Sequence, residues 1–236
     1  MIATHPVIRL RVGVSGHRLP PKLPKQSEAP LHGLVDRILA TMADAARRAE
    51  KSAHAPDPSE RTAAQLVIVS SLAEGADRIV AEAGLAAGFA LEVVLPFSRT
   101  EYARDFETPA SQAAFQQLLD RASAVIELDG SPDERPRAYE AAGLCMLSEI
   151  DVLIAIWDGE RAAGAGGTAE IVDRAVAERI FVVWIEPAHP DSFKVSPWDG
   201  GVRRATATAR PNDSFRFADV AVLSRAVERI VALPTQ

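Results

Sequence analysis

Asp151-Val-Leu-Ile-Ala-Ile-Trp-Asp158, followed by Gly164-Ala-Gly-Gly-Thr-Ala-Glu170, is the stretch that decides the fold. Its apolar run is short and bounded by glycines, which is typical of a strand that is buried on both faces. The glycines then lead into a predicted helix that opens on Thr168. Free backbone N–H groups and the helix dipole both favour an anion at such a helix start. The stretch therefore predicts a buried strand followed by a loop that holds a phosphate.

The rest of the chain repeats the alternation of strand and helix. Apolar runs predict five further strands at residues 8–14, 66–69, 91–95, 124–128 and 180–185. Periodic apolar residues predict helices at residues 34–49, 77–87, 99–106, 109–122, 137–150, 168–179 and 217–233. Prolines 20, 21 and 24 exclude regular structure until about residue 30, and residues 187–216 form an irregular insertion. This order predicts a parallel sheet with helices on both faces.

Composition narrows the class of protein. A hydrophobic share of 47% is enough for a large core, and the single Cys145 cannot form an internal disulfide. Residues 1–6 lack the layout of a signal peptide, and no apolar run approaches the roughly 20 residues of a membrane helix. These features predict a cytoplasmic protein that does not enter a membrane. The net charge of −6 argues against nucleic acid as a partner. The histidines show no ligand spacing, so we expect neither a metal site nor a cofactor.

In a parallel sheet, ligands bind outside the carboxyl ends of the strands, near the point where the strand order reverses. The loop that contains Gly164, Gly166 and Gly167 lies at such a strand end and has two interpretations. In the first, the glycines let a ligand approach the backbone, Thr168 donates its hydroxyl to a phosphate, and Glu170 accepts from a ribose hydroxyl or an amine. In the second, Thr168 is an ordinary N-cap and Glu170 opposes the helix dipole. The dinucleotide pattern GxGxxG is absent from this loop.

Ser70-Ser-Leu-Ala-Glu-Gly-Ala-Asp77 is a second small-residue loop that enters a helix, and Gly75 lies within it. Its serine hydroxyls and helix N–H groups suit a phosphate or a ribose, and Asp77 could bind sugar hydroxyls. The alternative is a capping box, in which Ser71 and Glu74 satisfy the first N–H groups of the helix. The sequence favours the capping box slightly for those two side chains.

Two further strand ends carry candidate binding residues. After the first strand, Gly16 allows a turn, Arg18 could pair with a phosphate and His17 could donate to one; otherwise both side chains are solvated. After the fifth predicted strand, an exposed Trp157 could stack on a base while Asp158 reads its amine. Equally, Trp157 could cover the end of the sheet. Three other arginines are weaker candidates for an anion, because surface salt bridges explain them as well: Arg99, Arg104 and Arg137.

These segments, in this order, resemble the SLOG superfamily. They are Gly13-Val-Ser-Gly-His-Arg18, Glu74-Gly-Ala-Asp77, Leu95-Pro-Phe97, Asp151-Val-Leu-Ile-Ala-Ile-Trp-Asp-Gly159 and Gly166-Gly-Thr-Ala-Glu170. The superfamily includes LOG-type phosphoribohydrolases, the DNA-processing protein DprA and bacterial nucleotide-sensor domains, and the chain is most similar to a bacterial branch with a GHR start and a WDG…GGT loop. The resemblance implies an α/β, Rossmann-like three-layer α/β/α fold with a mainly parallel sheet of about six or seven strands, in one domain over residues 1–236. It also implies a nucleotide or nucleotide derivative at the strand ends.

The chain also departs from the LOG-type enzymes. Their PGGxGTxxE loop is matched by Gly164, Gly167, Thr168 and Glu170, but its proline is missing and residues 159–163 separate strand from loop. A second departure concerns their catalytic arginine in the helix before the fifth strand. Ala142 occupies that place here, and Arg137 lies a turn or more away. The resemblance therefore implies the binding mode more strongly than the hydrolysis.

Two functions follow as hypotheses. The first is binding or sensing of a nucleotide-like ligand, as a module of a signalling or defence system. Its binding residues would be Gly166, Gly167, Thr168, Ser71, Arg18, Glu170 and Asp77. The alternative is a hydrolase that cleaves the N-glycosidic bond of a nucleoside 5′-monophosphate, with Glu170 as the catalytic residue. A third hypothesis is a pure interaction domain that binds no small molecule. Separately, the resemblance allows a homodimer, because LOG-like proteins are commonly dimers.

Overall fold

A computed structural model of the chain describes residues 8–18, 25–52, 63–160, 167–198 and 214–232. It contains an eight-stranded sheet in the order β4-β3-β2-β1-β5-β6-β7-β8. The strands are β1 (Arg9–Gly16), β2 (Gln65–Ser70), β3 (Ala90–Leu95), β4 (Ala124–Glu127), β5 (Val152–Ile156), β6 (Phe181–Ile185), β7 (Phe193–Val195) and β8 (Arg216–Ala218). The first six are parallel, and β7 and β8 extend the sheet in antiparallel pairs. The predicted mainly parallel sheet is confirmed.

Helices cover both faces of the sheet. They are α1 (Lys25–Ser52), α2 (Ala76–Ala86), α3 (Arg99–Tyr102), α4 (Pro109–Leu119), α5 (Arg135–Leu147), α6 (Thr168–Glu178) and α7 (Val220–Val231). One core contains side chains of α1, α2, α4 and α7, and a second core on the opposite face contains side chains of α5 and α6. This is the predicted three-layer α/β/α fold. In the described part of the chain, no helix is both long enough and apolar enough to span a membrane.

The strand order reverses between β1 and β5, and this reversal determines where a ligand can enter. From β1 the chain adds β2, β3 and β4 on one side of the sheet, and then β5 and β6 on the other. Val12 pairs with Ile68 on β2 and with Val152 on β5, so β1 is enclosed on both sides. In folds of this type a crevice forms at the reversal, above the carboxyl ends of the strands.

Three features of the fold differ from the sequence prediction. The sheet has eight strands rather than six or seven, because β7 lies within the segment predicted to be irregular and β8 lies at its end. Both strands are only three residues long, and β8 is largely exposed, so neither produces a periodic apolar signal. Helix α7 begins at Val220 instead of residue 217, after the N-cap Asp219, whose side chain accepts from Val222 N at 2.9 Å. Helix α1 begins at Lys25 and contains Pro30, so regular structure starts about five residues earlier than the prolines led us to predict.

Arg11 holds three elements together at the amino ends of the strands. It lies on β1 with 7% of its surface exposed, and its Nη2 donates to Glu92 Oε2 on β3 at 2.5 Å. Its Nε donates to the backbone carbonyl of Glu149, and its backbone N–H donates to Asp151 Oδ2 at 2.8 Å. Removing the guanidinium would leave a carbonyl and a partly buried carboxylate without this donor.

Arg11→Met is therefore expected to lower the free energy of unfolding by about 2 kcal/mol, since methionine keeps the apolar stem but donates no hydrogen bonds. Glu92 is 31% exposed, so water offsets part of the loss. Denaturant unfolding measures the change. Arg48→Met is the matched control, because Arg48 pairs with Glu228 on the surface and should contribute less than about 1 kcal/mol. Equal losses in the two variants would contradict the assignment.

Candidate functional site

A cavity of about 430 Å³ opens at the carboxyl ends of the strands, where the strand order reverses. Its volume is within the range of about 300–1,000 Å³ of small-molecule sites. It is lined by Val14, Ser15, Gly16, His17, Arg18, Ser71, Ala73, Asp77, Pro96, Tyr102, Tyr139, Ala142, Gly143, Met146, Trp157, Glu160, Gly167, Thr168, Ala169 and Ile171. The ends of β1, β2, β3 and β5 thus contribute to one space, as the strand-end rule predicts.

The predicted site residues divide into three groups. Those that line the cavity are Gly16, His17, Arg18, Ser71, Asp77, Trp157, Gly167 and Thr168. Those that do not line it are Glu74, Gly75, Asp158 and Glu170. Gly164 and Gly166 lie outside the residues that the structure describes. The cavity therefore brings together residues of all the predicted strand-end loops.

Helix α6 starts at the cavity wall with its first N–H groups uncapped by any side chain of the described residues. Its N-cap is Gly167 and not Thr168, which is the first helical residue. The N–H groups of Glu170 and Ile171 both donate to the carbonyl of Gly167, so the helical hydrogen bonds begin only there. Gly167 has a φ of −82°, which any residue adopts, so its backbone conformation does not require glycine. Gly167, Thr168 and Ala169 face the cavity with the positive end of the helix dipole.

His17 connects the end of β1 to the loop after β5. Its backbone N–H donates to the carbonyl of Ile156 at 2.9 Å, and its side chain is 10% exposed. The imidazole Nε2 lies 3.1 Å from the Asp158 N–H and 3.0 Å from Asp158 Oδ2. A neutral ring accepts the first hydrogen bond, whereas a protonated ring donates the second. Asp158 therefore supports His17, and its Oδ1 accepts from the Glu160 N–H at 3.0 Å.

Trp157 covers the end of the sheet, which is the second of the two interpretations of this residue. It is 4% exposed, and its Nε1–H donates to the carbonyl of Glu160 at 2.9 Å. Its ring packs on Trp184 with the centroids 5.5 Å apart. The indole is thus held from behind, and it forms a fixed wall of the cavity instead of the exposed stacking platform that we considered.

The capping box predicted for Ser71 and Glu74 does not form. Helix α2 has Gly75 as its N-cap, with a φ of 90° that suits glycine and no side-chain cap. The carboxylate of Glu74 instead accepts from the hydroxyl of Ser111 on α4. Ser71 is left at the cavity lining, where its hydroxyl is not used for capping.

Asp77 is a carboxyl group buried at the floor of the cavity, with 6% of its surface exposed. Its Oδ2 accepts from the Ser70 hydroxyl at 3.3 Å and from the Ala73 N–H at 3.4 Å. Burial raises the pKa of Asp77 to about 6, although these hydrogen bonds and the charge of Arg18 oppose the increase. The group therefore titrates near neutral pH, which is frequent for side chains in functional sites.

Two tyrosines that were not among the predicted site residues line the cavity beside Arg18: Tyr102 and Tyr139. The Arg18 guanidinium lies 5.5 Å from the centroid of the Tyr139 ring, and its Nη2 is 3.9 Å from Asp105 Oδ2. The Tyr139 hydroxyl donates to the same Oδ2 at 2.5 Å, and Tyr102 is 1% exposed. These are the only two tyrosines in the chain, and their position on helices after strands β3 and β4 was the available signal.

The position that the resemblance assigns to a catalytic arginine remains without one. Ala142 lies in the cavity wall, while Arg137 is 76% exposed and pairs with Glu134 at 2.9 Å. Arg99 and Arg104 pair with Glu127 and Glu101, both at 2.6 Å, and neither lines the cavity. All three arginines therefore form surface salt bridges, which was the alternative to binding an anion.

Comparison with known proteins gives similarities of fold. No protein-family model matches the sequence, and no curated protein matches it. The chain is similar to DNA processing protein A from Streptococcus pneumoniae, with 17% identity and a TM-score of 0.45 over 74% of this chain. It is also similar to DNA processing protein A from Helicobacter pylori, with 17% identity and a TM-score of 0.45, over 92% of this chain and 73% of that one. A third similar structure is the structural genomics target TM1055, with 16% identity and a TM-score of 0.37, over 71% of this chain and 69% of that one.

At 16–17% identity, these similarities concern the fold alone and assign no superfamily to the chain. The chain spans 50% of the length of the Streptococcus pneumoniae protein. One expectation is wrong. We argued from the net charge of −6 against nucleic acid as a partner, whereas the Helicobacter pylori structure is described by its single-stranded DNA binding mode. The net charge of a whole chain does not report the charge of one surface, so it does not exclude nucleic acid.

Proposed function

We propose that the cavity binds a nucleotide or a nucleotide-derived ligand, with a phosphate at the start of α6. The observation that carries this proposal is the uncapped helix start at Gly167 and Thr168, which faces a cavity of about 430 Å³. The N–H groups at this helix start, which no described side chain caps, and the helix dipole both favour an anion. Ser71, His17 and Arg18 line the same cavity and supply further donors.

We propose that the ligand is sensed and not hydrolysed. The cavity wall has Ala142 where an arginine would steady the reacting phosphate in the LOG-type enzymes, and Glu170 does not line the cavity. The cavity therefore offers groups for binding. The described lining contains neither the arginine of the LOG-type enzymes nor Glu170, the two groups that we associated with hydrolysis. We propose that the chain acts in this way as a sensor module of a signalling or defence system.

Gly167→Asp tests the phosphate position. We expect a carboxylate at the N-cap to weaken binding of a nucleotide by about 30- to 100-fold, because two like charges about 4 Å apart repel by several kcal/mol. Aspartate is itself a favourable N-cap residue, so the helix should remain folded. Calorimetric titration with nucleoside mono- and diphosphates, cyclic nucleotides and ADP-ribose measures the change.

Gly167→Asn is the matched control, because asparagine has the same size and also caps helices but carries no charge. It should weaken binding far less than Gly167→Asp does. Binding of no nucleotide in the panel, or equal affinities of the aspartate and asparagine variants, would contradict the proposal. Circular dichroism and the unfolding temperature show whether each variant is folded.

A further inference from the structure

We propose that Asp77 and Arg18 form a hydroxyl-recognition subsite, which takes the vicinal hydroxyls of a ribose and makes the cavity prefer ribonucleotides to 2′-deoxyribonucleotides. The inference rests on the proposed function and concerns a different end of the same cavity. Asp77 follows β2, whereas α6 follows β5, and β1 lies between the two strands. Two strand spacings of about 4.8 Å separate the phosphate and hydroxyl subsites.

The geometry of Asp77 leaves it an acceptor for a ligand. A carboxylate can accept about four hydrogen bonds, and three protein donors contact this one: Ser70 and Ala73 donate to Oδ2, and the backbone N–H of Ser71 also donates to the group. Asp77 lines the cavity and forms no salt bridge with any described residue. A buried carboxylate without a close cation is costly, and a hydroxyl that donates to it would offset part of that cost.

Arg18 supplies the matching donors. Its guanidinium is held over the Tyr139 ring, and 44% of its side chain is exposed. Its charge already faces two carboxyl groups, Asp105 at 3.9 Å and Asp77. A second phosphate at this end would be repelled by both carboxylates, whereas a neutral hydroxyl pair can donate to Asp77 and accept from Arg18. The charges therefore select a sugar over an anion.

The test compares matched ligands on the full chain. The probes are the four ribonucleoside 5′-monophosphates and their 2′-deoxy counterparts, titrated by calorimetry. We expect the ribonucleotide that binds best to exceed its deoxy counterpart by about 10- to 100-fold, the effect of one hydrogen bond to a charged group. Asp77→Asn should reduce this ratio to within about threefold, because the carboxylate is lost. Asp44→Asn makes the same chemical change at an exposed position on α1 and should leave the ratio unchanged.

A pH series distinguishes recognition by Asp77 from a purely structural role. The charged and titratable side chains that interact with Asp77 are Arg18, Arg78 and Tyr102. As pH falls through about 6, the carboxyl becomes protonated and the ribose preference should decrease. Both ligands of a pair carry the same phosphate, so its own protonation cancels in the ratio.

The outcomes separate this inference from the proposed function. If nucleotides bind but ribo and deoxy forms bind equally well to the wild type, the hydroxyl subsite is wrong and the phosphate site stands. If no nucleotide binds, both proposals fail. The wild-type ratio decides the question even if Asp77→Asn does not fold, and Arg18→Gln, which should also lower the ratio, provides a second variant.

Discussion

Gly16→Ala is expected to lower the free energy of unfolding by about 3 kcal/mol or more, at or above the upper end of overpacking effects. A Cβ at this last residue of β1 would lie 2.4 Å from the Cβ of Ala76 and 2.6 Å from the carbonyl oxygen of Ile156. One contact is to the start of α2 and the other is to the backbone of β5, so neither neighbour can move by a side-chain rotation. The close approach of α2 to the sheet therefore requires glycine here.

Gly33→Ala is the matched control for this substitution. Gly33 lies inside α1, and a Cβ there would meet no atom within 4 Å. Alanine should stabilise the helix by up to about 1 kcal/mol, because it restricts the unfolded chain more than glycine does. Denaturant unfolding of both variants gives the two changes, which we expect to have opposite signs. A loss of less than about 1 kcal/mol in Gly16→Ala would show that α2 moves freely from the sheet.

Asp77→Asn is expected to stabilise the protein at pH 8 by up to about 3 kcal/mol, while changing little at pH 3.5. Burial raises the pKa of Asp77 from 3.8 to about 6, so the folded state holds its proton more tightly than the unfolded state does. Below pH 3.8 the carboxyl is protonated in both states and imposes no penalty. As pH rises through about 6, the folded protein must bury a charge, and stability is lost.

The measurement is the difference in unfolding free energy between wild type and Asp77→Asn across the pH range. Other titrating groups contribute nearly equally to both proteins, so the difference isolates Asp77. It should grow between pH 3.8 and pH 6 and then level off. A difference that is independent of pH would contradict the burial of this carboxyl. A gain in stability together with a loss of ribose preference would indicate that the group is retained for binding.

The central strands and the site loops were predictable because they obey strong local rules. β5 and β6 are continuous apolar runs with every residue buried, and such runs are typical of parallel strands. The reversal of strand order then brings the loops after β1, β2, β3 and β5 to one edge of the sheet. Gly16, His17, Arg18, Ser71 and Asp77 could therefore be named from the sequence.

The remaining features depend on contacts between distant parts of the chain. The capping box fails because Glu74 bonds to Ser111, which is 37 residues away. Trp157 is buried because Trp184 and the carbonyl of Glu160 hold its ring. Tyr139 reaches the cavity only because α5 crosses the sheet beside Arg18. Spacing along the sequence carries none of this information.

The central position of β1 also has a consequence for the order of events during folding. β1 is synthesised well before its partner β5, which is separated from it in sequence by about 140 positions, as in the pair Val12 and Val152. One side of β1 must therefore wait, with its hydrogen-bonding groups unpaired, until residues 152–156 have been made. Such non-local pairing slows folding and exposes an apolar edge in the incomplete chain. The nascent protein thus passes through a period in which a central strand of its sheet lacks one of its two partners.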